Sequence, residues 1–144
     1  MEIWKDINGY EGLYQVSNLG NVKNLKRKVK ISKTLEKYKE VPEHILKPVK
    51  NKCGYLYVSL ANNGKVKNFR IHKLVAEEFI PNANKTLQIN HINGIKSDNR
   101  AENLEWVTCK DNINKAWKMG LCENVREQCR KNFTKERRKK VNDN

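Results

Sequence analysis

Long apolar runs are missing from this sequence: nothing approaches the roughly 18 consecutive apolar residues that a membrane-spanning helix needs. The opening, Met1-Glu2-Ile3-Trp4-Lys5-Asp6, has none of the layout of a secretory signal. A cytoplasmic protein with no membrane partner is the expectation. Cysteine pairs are missing too. Cys53, Cys109, Cys122 and Cys129 form no Cys-x-x-Cys, which excludes zinc-ribbon or finger spacing. Without an export signal their thiols are expected reduced and free, and Cys122 and Cys129, two helical turns apart, read as packing residues. Apolar residues are scarce, at 38% of 144 residues, which is lean for one well-buried core. One compact domain or two small modules is the size class this allows. No internal repeat or low-complexity tract occurs.

Acid is also scarce. Sixteen Asp and Glu face thirty Lys and Arg, for a net charge of +14. The excess is spread along the whole chain, as a polyanion contacted by every segment would favour, because each neutralised phosphate releases a counterion. High solubility is the plain alternative. Two dense basic segments, around Lys26 and around Arg137, tilt the reading to nucleic acid. Neither carries a strong apolar stripe, which argues against an acidic membrane surface.

Along the chain, Tyr14 and Val16 face Val22 and Leu25 across Ser17–Asn21, a stretch suited to a tight reversal, so an antiparallel hairpin is expected. Lys26, Arg27, Lys28 and Lys30 lie in a basic segment, 23–39, expected as a loop or extended arm. It is either a solvated loop or an arm lying along phosphates. Residues 54–71 read as a second hairpin around Asn62-Asn63-Gly64-Lys65. Ile71, Leu74, Val75 and Phe79 follow helical spacing up to Pro81, with His72 near the helix start. Leu87–His91 and Leu104–Thr108 read as strands separated by an irregular polar stretch. A helix capped by Thr108 or Asp111 then runs past Trp117 to Gly120. Strand, polar loop, strand, helix is a ββα unit. A basic tail with helical spacing follows.

The chemistry sits in Asn90-His91, Asp98-Asn99-Arg100, Asn103 and Asp111-Asn112. Phosphodiester hydrolysis needs a base for water, a cation for the phosphate and leaving oxygen, and a group that aims the base. A largely neutral imidazole suits the first task. A hard divalent ion on Asn or Asp oxygens suits the second, and an amide or carbonyl on the far ring nitrogen suits the third. In a ββα unit His91 would close the first strand, Asn112 would open the helix, and Asn103 would lie within reach of the His91 loop. Asn90 and Asn112 can then offer oxygens to one metal ion while His91 faces water.

At these residues the sequence resembles the HNH endonucleases, in the phage and intron-encoded homing type with an H-N-N motif. The opening Trp4-Lys5-Asp6-Ile7 through Gly9-Tyr10-Glu11-Gly12 to Val16-Ser17-Asn18, Gly20 and Val22 is similar to the NUMOD4 module, and His72-Lys73-Leu74-Val75-Ala76 to the segment that joins the two. The resemblance covers about residues 3–119 in three ordered blocks. It implies an α+β protein: an N-terminal antiparallel β module over 1–60 carrying the basic arm, a ββα-metal (His-Me finger) nuclease module over 61–119, and a basic helical tail over 120–144. It implies His91 as general base, Asn103 as the residue that holds the loop and orients the base, and Asn90 and Asn112 as metal ligands. Asn90 stands where the family often has Asp, so one negative charge is missing.

The implied activity is nicking of double-stranded DNA with one Mg²⁺ or Mn²⁺, by a monomer or weak dimer, with no small-molecule cofactor. Lys26, Arg27, Lys28, Lys30, Arg100, Arg137 and Arg138 would contact DNA. No helix-turn-helix repeat precedes Asn144, so the expectation is weaker sequence discrimination, or discrimination resting on the N-terminal module and its arm. Arg100 can equally pair with Glu102. Asp111 serves as a cap before it serves a metal. Asn93, Gly94, Asp98 and Asn99 read as turn formers, His72 as structural, and Trp106 and Trp117 as core. Two rivals stand beside the nuclease: a DNA-binding protein on the same scaffold with a decayed site, and an RNA-binding protein. The latter has only Tyr55 and Tyr57 as an aromatic platform.

Overall fold

A computed structural model describes residues 1–32, 34–82 and 87–121. The chain forms two units, Met1–Val107 and Thr108–Asn144.

The first unit begins with β1 (Trp4–Asp6), β2 (Tyr14–Ser17) and β3 (Val22–Asn24). β2 and β3 pair antiparallel with Val16 opposite Val22, the expected hairpin. Its turn closes through Ser17, whose Oγ accepts the N–H groups of Leu19 and Asn21. β1 adds on the outside of β2. β4 (Arg27–Lys30) and β5 (Tyr38–Val41) form a separate ribbon. The basic arm is therefore a paired hairpin, not a loop. Lysine is depleted in strands, and its density in this stretch hides the pattern.

β6 (His44–Ile45) returns to the edge of β3, and β7 (Val49–Lys50), β8 (Leu56–Asn62) and β9 (Lys65–Arg70) make a three-stranded sheet. The β8–β9 turn holds Asn63 at φ 50° and Gly64 at φ 73°. Both central residues of this two-residue turn are left-handed, the conformation that Asn-Gly favours.

α1 (Ile71–Phe79) buries Ile71, His72, Leu74, Val75 and Ala76. One core joins Ile7, Tyr14, Val16 and Val22 from the first strands to Val58 and Leu60 of β8, the apolar face of α1, and Leu104. Burial of each such Val, Leu or Ile contributes about 1.5–3 kcal/mol. Polar ties reinforce it: the Tyr14 hydroxyl accepts the Ala61 N–H at 3.2 Å. β10 (Gln88–His91) and β11 (Leu104–Val107) then pair antiparallel, with a 3₁₀ turn at Ala101–Asn103 before β11. Trp106 packs against the core and its indole N–H donates to Ile80 O at 3.1 Å, as expected of a core tryptophan.

In the second unit α2 (Cys109–Lys118) starts at Thr108. Thr108 Oγ1 accepts the Asp111 N–H at 3.1 Å and donates to Asp111 Oδ2 at 2.7 Å, so both capping candidates share one cap. Gly120 ends it at φ 69°. Trp117 is exposed, contrary to its reading as core, because α2 buries none of its residues. Cys53 and Cys109 are free and exposed. Cys122, Cys129 and the basic tail with Arg137 and Arg138 lie outside the described residues. Among the described residues no helix is long and apolar enough to cross a membrane.

The hairpin turn also reaches the second half of the first unit. Ala101 N–H donates to Asn18 O at 2.8 Å. A Cβ on Gly20 would lie 3.0 Å from Asn99 Cβ and 3.1 Å from Asn99 O, and Gly20 has φ +87°. Gly20→Ala is therefore expected to destabilise the fold by about 1–3 kcal/mol. Urea unfolding of the two proteins measures this, and equal midpoints would contradict the close approach.

Candidate active site

The loop from Ile92 to Arg100 joins two paired strands without regular structure of its own, so its backbone groups need side-chain partners. Buried Asn103 supplies them. Its Oδ1 accepts the Asn93 N–H at 3.0 Å, and its Nδ2 donates to Asn93 Oδ1 at 3.0 Å and Asp98 O at 2.9 Å. Its backbone carbonyl accepts the Ile92 N–H. Asn93 in turn accepts the Ile95 N–H and donates to Asp98. Gly94, at φ 74°, donates to His91 O and closes the turn after β10.

His91 ends β10 and is 5% exposed. Its Nε2 lies 3.1 Å from Asn99 Oδ1, and Asn99 is buried at 4% exposure. An amide oxygen only accepts, so neutral His91 carries its proton on Nε2 and presents its lone pair at Nδ1. The direct partner of the His91 ring is thus Asn99, whereas Asn103 braces the loop that carries both. Burial pushes the His91 pKa below its ordinary value, against the hydrogen bond that the ring donates to Asn99.

A second histidine faces it. The His72 ring at the start of α1 lies edge-on, 5.1 Å from His91, and Tyr55 lies 5.1 Å from His72 and 6.0 Å from His91. His72 is buried, and its Nδ1 has no hydrogen-bond partner among the described residues. Burial, followed by the charges of His91, Arg70 and Lys73, pushes its pKa down to about 4. Arg70 and Lys96 lie over the Tyr55 ring at 5.1 and 5.0 Å. An aromatic–imidazole cluster with two exposed cations is the result.

The other candidates fall in different settings. Asn90 sits one residue before His91, and its Nδ2 donates to Glu105 Oε1 at 2.7 Å. Asn112 lies in the first turns of α2, in the second unit. Arg100 grips Asp98 through Nε and one terminal nitrogen, each at 2.9 Å, and Glu102 through the other at 2.8 Å. That pairing holds the Asp98 carboxyl at about 2 and raises the Arg100 pKa. Two carboxylates already neutralise this guanidinium, so the ion-pair reading fits Arg100 better than a phosphate clamp.

Arg27 is similarly turned inward. It donates to Leu13 O, Leu25 O, Asn24 Oδ1 and the Tyr14 hydroxyl, and stacks on the Tyr14 ring. It anchors the arm's base. Lys26, Lys28 and Lys30 are exposed, with Lys26 3.9 Å from Glu40.

His72, Arg70 and Lys96 are not marked for function by the sequence pattern, Asn99 stands in the informative stretch but reads as a turn former, and Tyr55 enters only as half of an aromatic platform. Asn99 carried a turn signal that concealed its burial. His72 had the one legible cue, a histidine on an otherwise apolar helix face.

Residues 2–61 match the NUMOD4 motif and residues 69–113 match the HNH endonuclease family. The DNA endonuclease I-HmuI of Bacillus phage SP01 is 41% identical over 110 residues, 76% of this chain and 55% of that protein. An uncharacterized HNH endonuclease of Acanthamoeba polyphaga mimivirus is 41% identical over 121 residues, 80% of this chain and 26% of that protein. This chain thus spans about half, or less, of these curated relatives. A solved structure of DNA binding and cleavage by the HNH homing endonuclease I-HmuI superposes with a TM-score of 0.69 at 36% identity. It covers 88% of this chain and 64% of that one.

Two stability measurements check the cluster. Because His72 binds its proton more weakly when folded, the unfolded chain takes up more protons between pH 6.5 and 4. Stability is expected to fall by roughly 3 kcal/mol as pH drops through that window, and to be level above it. Denaturant unfolding at stepped pH reads this slope, and a flat profile would contradict it. Asn103→Ala removes three hydrogen bonds from a buried amide, for an expected loss of about 2–4 kcal/mol. An unchanged melting temperature would contradict the bracing role.

Proposed function

Because this chain belongs to the HNH endonuclease family, with a NUMOD4 motif ahead of its HNH segment, we propose that it is a DNA endonuclease. Its substrate is double-stranded DNA, and its reaction is metal-dependent hydrolysis of a phosphodiester bond. The observation that carries the reading is the His91 ring, held through Nε2 by buried Asn99 and left with a lone pair on Nδ1. We read residues 1–60 as the NUMOD4-like module, 61–119 as the nuclease module and 120–144 as the basic tail.

In this reading His91 Nδ1 takes a proton from the attacking water. Its depressed pKa keeps the base form present at neutral pH. Asn99 aims the ring, and Asn103 keeps the loop that carries Asn99 in register with β11. Asn90 and Asn112, the motif's strand and helix positions, offer amide oxygens. Amide oxygens together with a neutral imidazole are, by donor chemistry, a set that fits Mg²⁺ or Mn²⁺. Such an ion, when bound, supplies positive charge to the phosphate and the leaving oxygen. Arg70 and Lys96 beside Tyr55 are suited to the scissile phosphate, and Lys26, Lys28 and Lys30 to the backbone further along. A chain with one such site cuts one strand, so a monomer nicks. The DNA substrate and the phage origin of the I-HmuI relative favour the host-cell cytoplasm as the place of action.

A supercoiled-plasmid assay with Mg²⁺ or Mn²⁺ and an EDTA control tests this. Open-circle product is expected to require metal and to fall by about 10²–10⁴-fold in His91→Ala, with plasmid affinity retained. Tight binding with no cleavage in either metal, on DNA that includes the relatives' type of target, would overturn the nuclease reading. The acid limb of the rate profile is expected below pH 6.5, because the His91 pKa is lowered. A limb above pH 7 would argue against His91 as base.

A further inference from the structure

We propose that Glu105 is a positioning residue of the metal site, holding the Asn90 amide so that its oxygen serves the cation. This rests on the reading of Asn90 as a metal ligand. Asn90 and Glu105 are direct cross-strand partners in the β10–β11 pair. Their side chains meet at 2.7 Å, from Asn90 Nδ2 to Glu105 Oε1, a distance typical of a charge-assisted hydrogen bond.

An ionised carboxylate only accepts, so it selects the NH₂ end of the amide. The carboxamide is thereby oriented with its nitrogen committed to Glu105 and its oxygen left as the donor atom for a hard cation. Two consequences follow for binding. The rotamer freedom of Asn90 is removed before the ion arrives. The carboxylate also polarises the amide, making its oxygen a stronger donor, as outer partners do for many metal ligands. Asn103, by contrast, has both ends of its amide engaged by the loop and no atom left for a metal.

Mn²⁺ binding to the full chain, read as loss of the free Mn²⁺ EPR signal, tests the proposal without cleavage. Glu105→Ala is expected to weaken Mn²⁺ by about tenfold or more. Glu105→Gln, which keeps an acceptor and drops the charge, is expected to lose less. Asn90→Ala is expected to lose at least as much as Glu105→Ala, and the double variant no more than Asn90→Ala alone, because both act through one oxygen. Circular dichroism checks folding. Should Glu105→Ala fail to fold, Glu105→Gln with wild-type Mn²⁺ affinity would overturn the proposal. Wild-type affinity in a folded Glu105→Ala, alongside a weakened Asn90→Ala, would overturn the role of Glu105 and leave Asn90 as ligand. Wild-type affinity in Asn90→Ala, or no binding to the wild-type chain, would overturn both.

Discussion

The hydrogen bond between His91 Nε2 and the Asn99 side chain is the contact on which the rest of the site depends. It fixes the tautomer, and the tautomer leaves the lone pair on Nδ1. A buried amide can hold that role only if its own backbone is held. The turn of the first hairpin does so: Asn18 O receives the Ala101 N–H, and Gly20 lies against the Asn99 backbone with no room for a side chain. The NUMOD4 portion is therefore part of the wall behind the histidine as well as a separate stretch of sequence.

The electrostatics point the same way. In a chain of net charge +14, burial is the largest cause that lowers the pKa of both histidines, and neighbouring cations add to it. Asp98, although gripped by Arg100, sits near His91 and its charge pulls that pKa upward, against the burial. The site thus combines a neutral imidazole with exposed cations at Arg70 and Lys96, a pairing suited to an anionic substrate and a proton acceptor. Neutral amides do most of the bracing: Asn90, Asn93, Asn99 and Asn103 each hold a defined partner without adding charge beside the base.

Much of this was legible in the sequence, for physical reasons. Turn chemistry located both hairpins, since Gly20 in the first and Asn63-Gly64 in the second take up left-handed backbone where few residues do. The period of Ile71, Leu74 and Val75 located α1, and the cap at Thr108 located α2. The spacing of Asn90, His91, Asn103 and Asn112 marked the candidate site. What stayed hidden depends on tertiary contact. Asn99 reads as a turn residue because burial is not encoded in its type. Arg27 reads as a phosphate contact because a basic side chain does not announce that a ring already holds it, and for Arg100 the sequence leaves a phosphate and Glu102 both open. The arm reads as a loop or extended arm, with no strand pairing, because lysines on both faces of a ribbon erase the alternation that marks a strand.

The most direct measurement is a long-range ¹H–¹⁵N NMR titration of His91 in the full chain. The account predicts an Nε2-protonated neutral ring with a pKa below 6.5, and loss of that tautomer preference in Asn99→Ala. A neutral ring protonated on Nδ1, or a His91 pKa above 6.5, would contradict it.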